Sequence, residues 1–266
     1  MTAMDGTISP DRSAAGEEEG GADWERRVVG RSLDGARRRS IDRGARLIRA
    51  AAKVLERSNG ESLTVQEVAD EAGQSLRTLY QYFASKDDLL LAVYEEAMGT
   101  YARLIRAAIE PLDEPVERLA GSLIASTRLP ALHERSGVDR GLSRLRLQLA
   151  QADPGLIARS QEPVTEVFRE LVAEAFEAAS PTLIGVEQGT YFVLALRNSF
   201  ALSATLGNEF DLAMPDPLEL SVFCFGGLGI ERPRRWHERI DSRLDLSGED
   251  GPSILRRLSR GARSSA

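Results

Sequence analysis

Thr64–Leu90, TVQEVADEAGQSLRTLYQYFASKDDLL, reads as two short helices around a tight turn, with a third helix beginning at its end. Thr64 is placed to N-cap the first helix, and Glu67 three residues on completes a capping box. Val65, Val68, Ala69 and Ala72 then recur at helical spacing and give a narrow apolar face. Gly73 ends that helix, since a left-handed backbone costs glycine least. Ser75 caps the next, in which Leu76, Leu79, Tyr80 and Phe83 form the inward stripe. Arg77, Thr78, Gln81 and Tyr82 are then left on or near the outer side, and for Tyr80 the stripe predicts a buried ring with its hydroxyl outward. Ser85 and Asp88 make a further start signal, with acids in the first turn where the helix dipole favours them. Helix, glycine turn and short helix with a polar and aromatic outer face is the pattern of a helix-turn-helix.

Its residues predict a way of meeting DNA. The N-terminal end of the second helix, with Gln74, Ser75, Leu76, Arg77 and Thr78, enters the major groove, where Arg77 pairs with a guanine edge and Thr78 with a base or phosphate. Tyr80, Gln81 and Tyr82 extend that face, and both tyrosine hydroxyls suit phosphates. Thr64 and Lys86, at two helix N-termini, stand on either side to clamp the backbone. Arg37, Arg38 and Arg39 lie just before the first helix, where an arginine arm reaches a phosphate or the minor groove.

The run AG-x-S-x-x-TLY-x-x-F-x-x-K-x-x-L, Ala72 to Leu89, resembles the DNA-binding signature of the tetracycline-repressor (TetR) family of bacterial transcription regulators. The similarity extends from Ile41 to Leu90. Two positions depart from it: Gln74 stands where the family usually has a small apolar residue, and Tyr82 where it often has histidine. Both lie in or beside the DNA-facing surface, so operator preference does not transfer. The resemblance implies backbone contacts at Thr64, Tyr82 and Lys86. It also implies a C-terminal helical domain that binds a small molecule and dimerises.

The chain has 266 residues and a net charge of −7, which is unusual for a protein that meets phosphates. The distribution resolves this: Arg37 to Lys86 holds ten Lys/Arg against six Asp/Glu, a balance of +4, and the remainder carries −11. A basic end meeting DNA and an acidic remainder are coherent. No run of about eighteen apolar residues occurs, and no cleavable leader, so the expectation is a cytoplasmic protein with no membrane partner. The single cysteine, Cys224, excludes an intramolecular disulfide.

The expected organisation has four parts: a disordered, glycine-rich and acidic arm over 1–38, the helix-turn-helix domain over 39–86, a helical ligand-binding and dimerisation domain over 87–231, and a tail over 232–266 with weak claims to a core. In the arm, Trp24 and Val28-Val29 are the only anchors. Helix one is expected over Ser40–Arg57, with Ile41, Ala45, Ile48, Ala52 and Leu55 as its stripe. Helix four, from Ser85 to about Ala108, is expected to link the two domains mechanically. Further helices are read near 115–128, 138–152, 154–179, 184–206 and 216–229, with Pro163 kinking or breaking the third of these. In the tail, Ile254 to Leu258 forms a short amphipathic piece. The fold class is therefore all-α.

Effector-pocket candidates are Tyr101, Leu123, Thr127, Leu147, Phe168 and Tyr191, with Arg144, Arg146 and Asn198 as polar anchors; apolar residues at helical spacing also read simply as core. Residues 191–206 and 218–229 are apolar nearly all round, which predicts burial on both sides and a dimer face through Phe192, Leu196, Phe200, Leu218, Val222 and Phe225. A two-fold dimer would present paired recognition helices to a roughly palindromic operator. Gly226-Gly227-Leu228-Gly229 follows a helix and lacks the spacing of a nucleotide fingerprint. His133 and His237 have no second ligand at metal spacing, and Cys224 lies in an apolar stretch where a thiol is inert. No cofactor and no catalytic constellation is read. The sequence thus predicts a DNA-binding homodimeric regulator, most simply a repressor released by an unknown small-molecule effector. The alternatives are a DNA-binding dimer without an effector and, less favoured, an enzyme housed in the bundle.

Overall fold

The computed structural model describes residues 23–58, 62–131, 138–179, 184–207 and 212–244. Among these there is no strand. The helices are α1 (Asp23–Arg57), α2 (Val65–Ala72), α3 (Leu76–Tyr82), α4 (Lys86–Ile109), α5 (Pro115–Ala131), α6 (Val138–Ala152), α7 (Pro154–Ala178), α8 (Val186–Leu206), α9 (Pro217–Leu228) and α10 (Trp236–Arg243). The all-α expectation holds.

The chain divides into two units, one ending at Arg43 and the other starting at Gly44. In the first, residues from Asp23 onward are helical, so the expected disordered arm is corrected over 23–38; residues 1–22 lie outside the described residues. The glycine-rich run stops at Gly21. Beyond it Glu25, Arg26, Arg27, Leu33 and the arginine run are good helix formers, which outweigh Gly30 and Gly35. Arg37, Arg38 and Arg39 are exposed.

From Gly44 on, the helix-turn-helix and the bundle share one unit. The boundary expected at 86/87 separates no compact bodies, because α4 runs through it unbroken. The buried face of α1 is wider than expected: of the expected stripe Ala52 and Leu55 are buried, Ala45 and Ile48 are half-buried and Ile41 is 60% exposed, while Leu47, Ala50, Ala51 and Val54 join the core. Leu47, Val68, Leu79, Leu89 and Val93 belong to one continuous core that extends into the bundle.

In the bundle α7 packs against α4, α5, α6 and α8, and α9 against α5 and α8. Asp153 caps α7 ahead of Pro154, whose missing N–H costs nothing at a helix start. Pro163 sits inside α7 on its exposed side, and the helix continues through it as one element rather than two. At Gly189 the α7–α8 crossing is close: a Cβ there would lie 2.8 Å from Cζ of Phe176 and 3.1 Å from Cγ1 of Val172.

The tail is corrected as well. Trp236 and Ile240, one helical turn apart in an otherwise charged run, are 6% and 0% exposed, and Trp236 meets Phe225 edge-on with centroids 5.5 Å apart. Arg239 donates to the buried carboxylate of Glu117, Nε to Oε1 at 2.6 Å, and ties α10 to α5. Residues 245–266, including Ile254 to Leu258, lie outside the described residues.

Candidate nucleic-acid interface and bundle interior

Each helix of the helix-turn-helix begins on a side-chain cap. Thr64 Oγ1 accepts from the Glu67 amide at 3.2 Å while Glu67 Oε2 accepts from the Thr64 amide at 2.9 Å, closing the capping box. The Thr64 hydroxyl also donates to Glu67 Oε2 at 2.7 Å, and this bond, followed by the one from the Thr64 amide, holds the Glu67 carboxyl below its ordinary pKa. Gly73 closes α2 in the left-handed region, φ 61°, and the Gln74 amide donates back to the Ala69 carbonyl at 2.9 Å. Ser75 Oγ accepts from the Thr78 amide at 3.1 Å and opens α3. Ser85 Oγ accepts from the Asp88 amide at 3.1 Å, and Asp88 Oδ2 accepts from the Ala84 amide at 2.8 Å, opening α4. Glu71 receives the Arg57 guanidinium and, at 3.2 Å, the Lys53 ammonium, so α2 is tied to the end of α1; both partners hold its carboxyl below the ordinary range.

On this frame Thr64, Ser75, Arg77, Gln81 and Lys86 are exposed, and Gln74, Leu76 and Thr78 are half-buried. The two tyrosines exchange the environments expected of them. Tyr80 is 51% exposed, not buried, while Tyr82 packs on the core, its Cδ1 3.8 Å from where a Cβ on Gly44 would lie. The rotation of α3 sets this: its inward face is Leu76, Leu79 and Tyr82, three residues apart, with Phe83, extended at φ −128°, buried beneath it, and that face turns Tyr80 outward.

The expected pocket separates into two groups. Tyr101, Leu123, Thr127 and Phe168 are buried, Asn198 and Arg146 are half-buried, and Arg144, Leu147 and Tyr191 are exposed and line no interior of this chain. On α6 the buried face belongs to Leu142, Leu145 and Leu149, which turns Leu147 outward. Tyr101 donates its hydroxyl to the Ser126 carbonyl, and Thr127 Oγ1 donates within its own helix to Leu123 and Ile124 carbonyls. Arg197, absent from the sequence-level candidates, joins the interior members. It is 7% exposed, and its guanidinium carbon lies 4.9 Å from the Tyr101 ring centroid and 5.8 Å from that of Phe168. Its Nη1 donates to Asn198 Oδ1 at 2.8 Å. The signal that marks it in sequence is one charge inside YFVLALRNSF, which a half-buried helix has no packing reason to carry.

Of the expected dimer face, Phe192 is 52% exposed, and Leu196, Phe200, Leu218 and Val222 are half-buried. Phe225 is corrected: at 0% exposure it is core, packed on Trp236, and its neighbour Phe223 is the outward one at 67%. Cys224 is buried, and desolvation pushes its thiol up to about 11. His237 is exposed against the edge of Trp236, and His133 lies outside the described residues. Among the described residues no group of three His, Cys, Asp or Glu is arranged to hold a metal, and no helix is long and apolar enough to cross a membrane. An open cleft of about 540 Å3 between the ends of α4, α5 and α7 is ringed by Glu110, Asp113, Glu174 and Glu177 with Arg118 alone opposing them.

Comparison with known proteins agrees with this geometry. Residues 47–93 match the model of bacterial regulatory proteins of the tetR family. The chain is 36% identical over 84 residues to the HTH-type transcriptional regulator HbdR of Aromatoleum sp. (strain CIB), covering 32% of this chain and 37% of that protein. It is 35% identical over 74 residues to the HTH-type regulator BetI of Brucella canis, covering 28% and 37%. The matched stretch thus spans little more than a third of these curated relatives. The crystal structure of RolR in complex with resorcinol superposes with a TM-score of 0.57 at 19% identity, covering 78% of this chain and 96% of that one. FadR from Bacillus subtilis in complex with stearoyl-CoA gives 0.50 at 20% identity, covering 68% and 95%. At those identities the likeness is one of fold. With α2, α3 and the start of α4 inside the matched segment, the chain carries a helix-turn-helix segment similar to that of bacterial regulatory proteins of the tetR family, with a helical bundle of the same fold as RolR behind it.

Proposed function

We propose that the protein is a sequence-specific DNA-binding transcription regulator that works in the cytoplasm as a homodimer on a palindromic operator, and that a small molecule bound in the bundle releases it. The observation that carries the reading is α3: a short helix fixed by its Ser75 cap and its buried Leu79, presenting Arg77, Tyr80 and Gln81 outward. Such a face fits the major groove, with Arg77 on a guanine edge. Thr64 and Lys86, exposed at the starts of α2 and α4, flank it for phosphates. The named relatives are HTH-type regulators, and RolR and FadR were crystallised with ligands, which supports both halves of the reading.

Apolar exposure supports a seat for the second copy on α8 and α9. Tyr191 and Phe192 on α8 and Phe223 on α9 are 69%, 52% and 67% exposed, on two helices that pack together. Large rings gathered on one pair of helices mark an interface. Release then follows as a population shift, in which ligand favours a dimer whose recognition helices no longer match successive grooves.

The test is a fluorescence-anisotropy titration of the full chain against the DNA flanking its own gene, at two salt concentrations, for the wild type and Arg77→Ala. Tight, salt-sensitive binding that the variant loses supports the reading. Equal affinity for that DNA and for random duplex sinks it for this operator, and a genome-wide selection of bound fragments that enriched no sequence would sink it entirely.

A further inference from the structure

Among the described residues, Arg197 is a buried cation with no carboxylate beside it. Its only hydrogen bond is from Nη1 to Asn198, and its Nε has no partner. Taking a guanidinium out of water is costly unless an anion or a full set of acceptors replaces the water. The Tyr101 and Phe168 rings offset part of that cost. They leave Nε unfilled, and a guanidinium edge takes a carboxylate side-on through two parallel bonds. Two turns earlier on α8 the Thr190 hydroxyl, 3% exposed, is also without a partner. Residues seven apart share a helix face, so both unfilled groups point to the same interior.

A second guanidinium, Arg146, is carried half-buried on α6, which packs against both α4 and α8. The buried Tyr94 phenol on α4 is pushed up in pKa chiefly by desolvation, and the charges of Arg146 and Arg197, with the Gln161 side chain, pull against that rise. Arg146 has no ion pair among the described residues. Glutamates are plentiful in this bundle, but they pair with other arginines, as Glu170 does with Arg106 at 2.6 Å, Glu174 with Arg118 at 3.2 Å and the buried Glu117 with Arg239.

We propose that the effector is an organic monocarboxylate, its head held by Arg197 with the Thr190 hydroxyl on the same helix face and Arg146 on α6 as the second charge. This rests on the ligand-release reading above and names the chemical class it requires. The missing acid in the site is the one the ligand brings.

Thermal unfolding and calorimetric titration of the full chain test it, with benzoate, phenylacetate and the straight-chain carboxylates from butyrate to decanoate at millimolar concentration. The matching amides and inorganic phosphate are the controls. At least one carboxylate is expected to raise Tm while its amide does not. Arg197→Lys is expected to weaken binding by about ten- to a hundredfold, the worth of a charge-assisted bond. Arg197→Met is expected to abolish the response while unfolding no lower than the wild type without ligand, since it removes an unpaired buried charge. Arg146→Gln, at a half-buried position, weakens binding without touching the fold. The proposal is overturned if no carboxylate stabilises the protein, if amides do so equally, or if phosphate alone does. A large fall in the Tm of ligand-free Arg197→Met also overturns it, by making the guanidinium a structural core group. Carboxylate binding that leaves operator affinity unchanged sinks release and keeps the anion site; release by neutral molecules alone does the reverse.

Discussion

The helix-turn-helix and the bundle interior treat their polar groups in opposite ways. In the first, Thr64, Ser75 and Ser85 each satisfy an amide three residues on, Glu67 returns the bond to Thr64, and Asp88 accepts from the Ala84 amide. In the second, Arg197 Nε and Thr190 Oγ1 are buried and unsatisfied. Caps settle a helix end from within a few residues, so the reading head is rigid before anything binds it. An interior with unfilled hydrogen-bonding capacity is poised for an added partner, and a ligand that fills it has the differential binding energy that a shift between states needs.

The sharpest way to break this contrast is to loosen the rigid half from inside. Leu79 is 0% exposed and is the buried pivot of α3. Leu79→Ala is expected to destabilise the protein by about 2–5 kcal/mol, as a cavity in a packed core does, and to lower DNA affinity with it. Chemical denaturation gives the first number and anisotropy the second. An unchanged midpoint would mean that α3 is held by its caps alone.

At the other end, Phe223→Glu puts a charge where a 67% exposed ring now stands. If α8 and α9 form the face between copies, dimer affinity falls by roughly 2 kcal/mol or more, the loss typical of a central aromatic anchor. Sedimentation across a concentration series reads it. Arg77→Ala comes next, with operator affinity expected to fall by about 1–3 kcal/mol and thermal stability unchanged, because Arg77 is exposed. Loss of stability there would move Arg77 from reader to frame.

These regions also differ in how much the chain disclosed about them. Caps, the Gly73 turn and the Leu79 stripe are legible because each depends on neighbours within four residues. The exchange of Tyr80 and Tyr82 was hidden, since both flank the Leu79 stripe and the rotation of a seven-residue helix against its neighbours decides which ring turns inward. In the bundle periodicity marks a buried face but not its neighbours: Phe225 and Phe223 look alike in sequence, and only the packing of Trp236 from α10 selects Phe225 for the core. Arg197 escaped because a charge in an apolar helix is ordinarily assigned to its outer side. Tyr101, Phe168 and Asn198 were in reach as interior candidates, but nothing local told them apart from Leu147 and Tyr191, which the helix rotation turns outward.

The smallest effect tests whether the capping box depends on charge as well as on hydrogen bonding. Glu67 carries a carboxyl held below its ordinary 4.5, first by the Thr64 hydroxyl and amide, with weaker help from Arg57 and Lys86. A group whose folded pKa is depressed contributes stability above its unfolded value and loses it as pH falls through the folded one. The contribution of Glu67 is therefore full at neutral pH and fades only below 4.5. Glu67→Gln keeps an acceptor for the Thr64 amide but removes the charge at the N-terminus of α2. It is expected to lower the midpoint slightly at neutral pH, with the gap to the wild type closing as the pH drops below 4.5, where the wild-type carboxyl takes up its own proton. Glu71 and Glu170, depressed by Arg57 and Arg106, titrate in the same window and add the same slope to both proteins, so only the difference isolates Glu67. A gap constant from neutral to acid would assign the cap to bond geometry alone, and the reading head would then hold its shape independently of the charge on its own first turn.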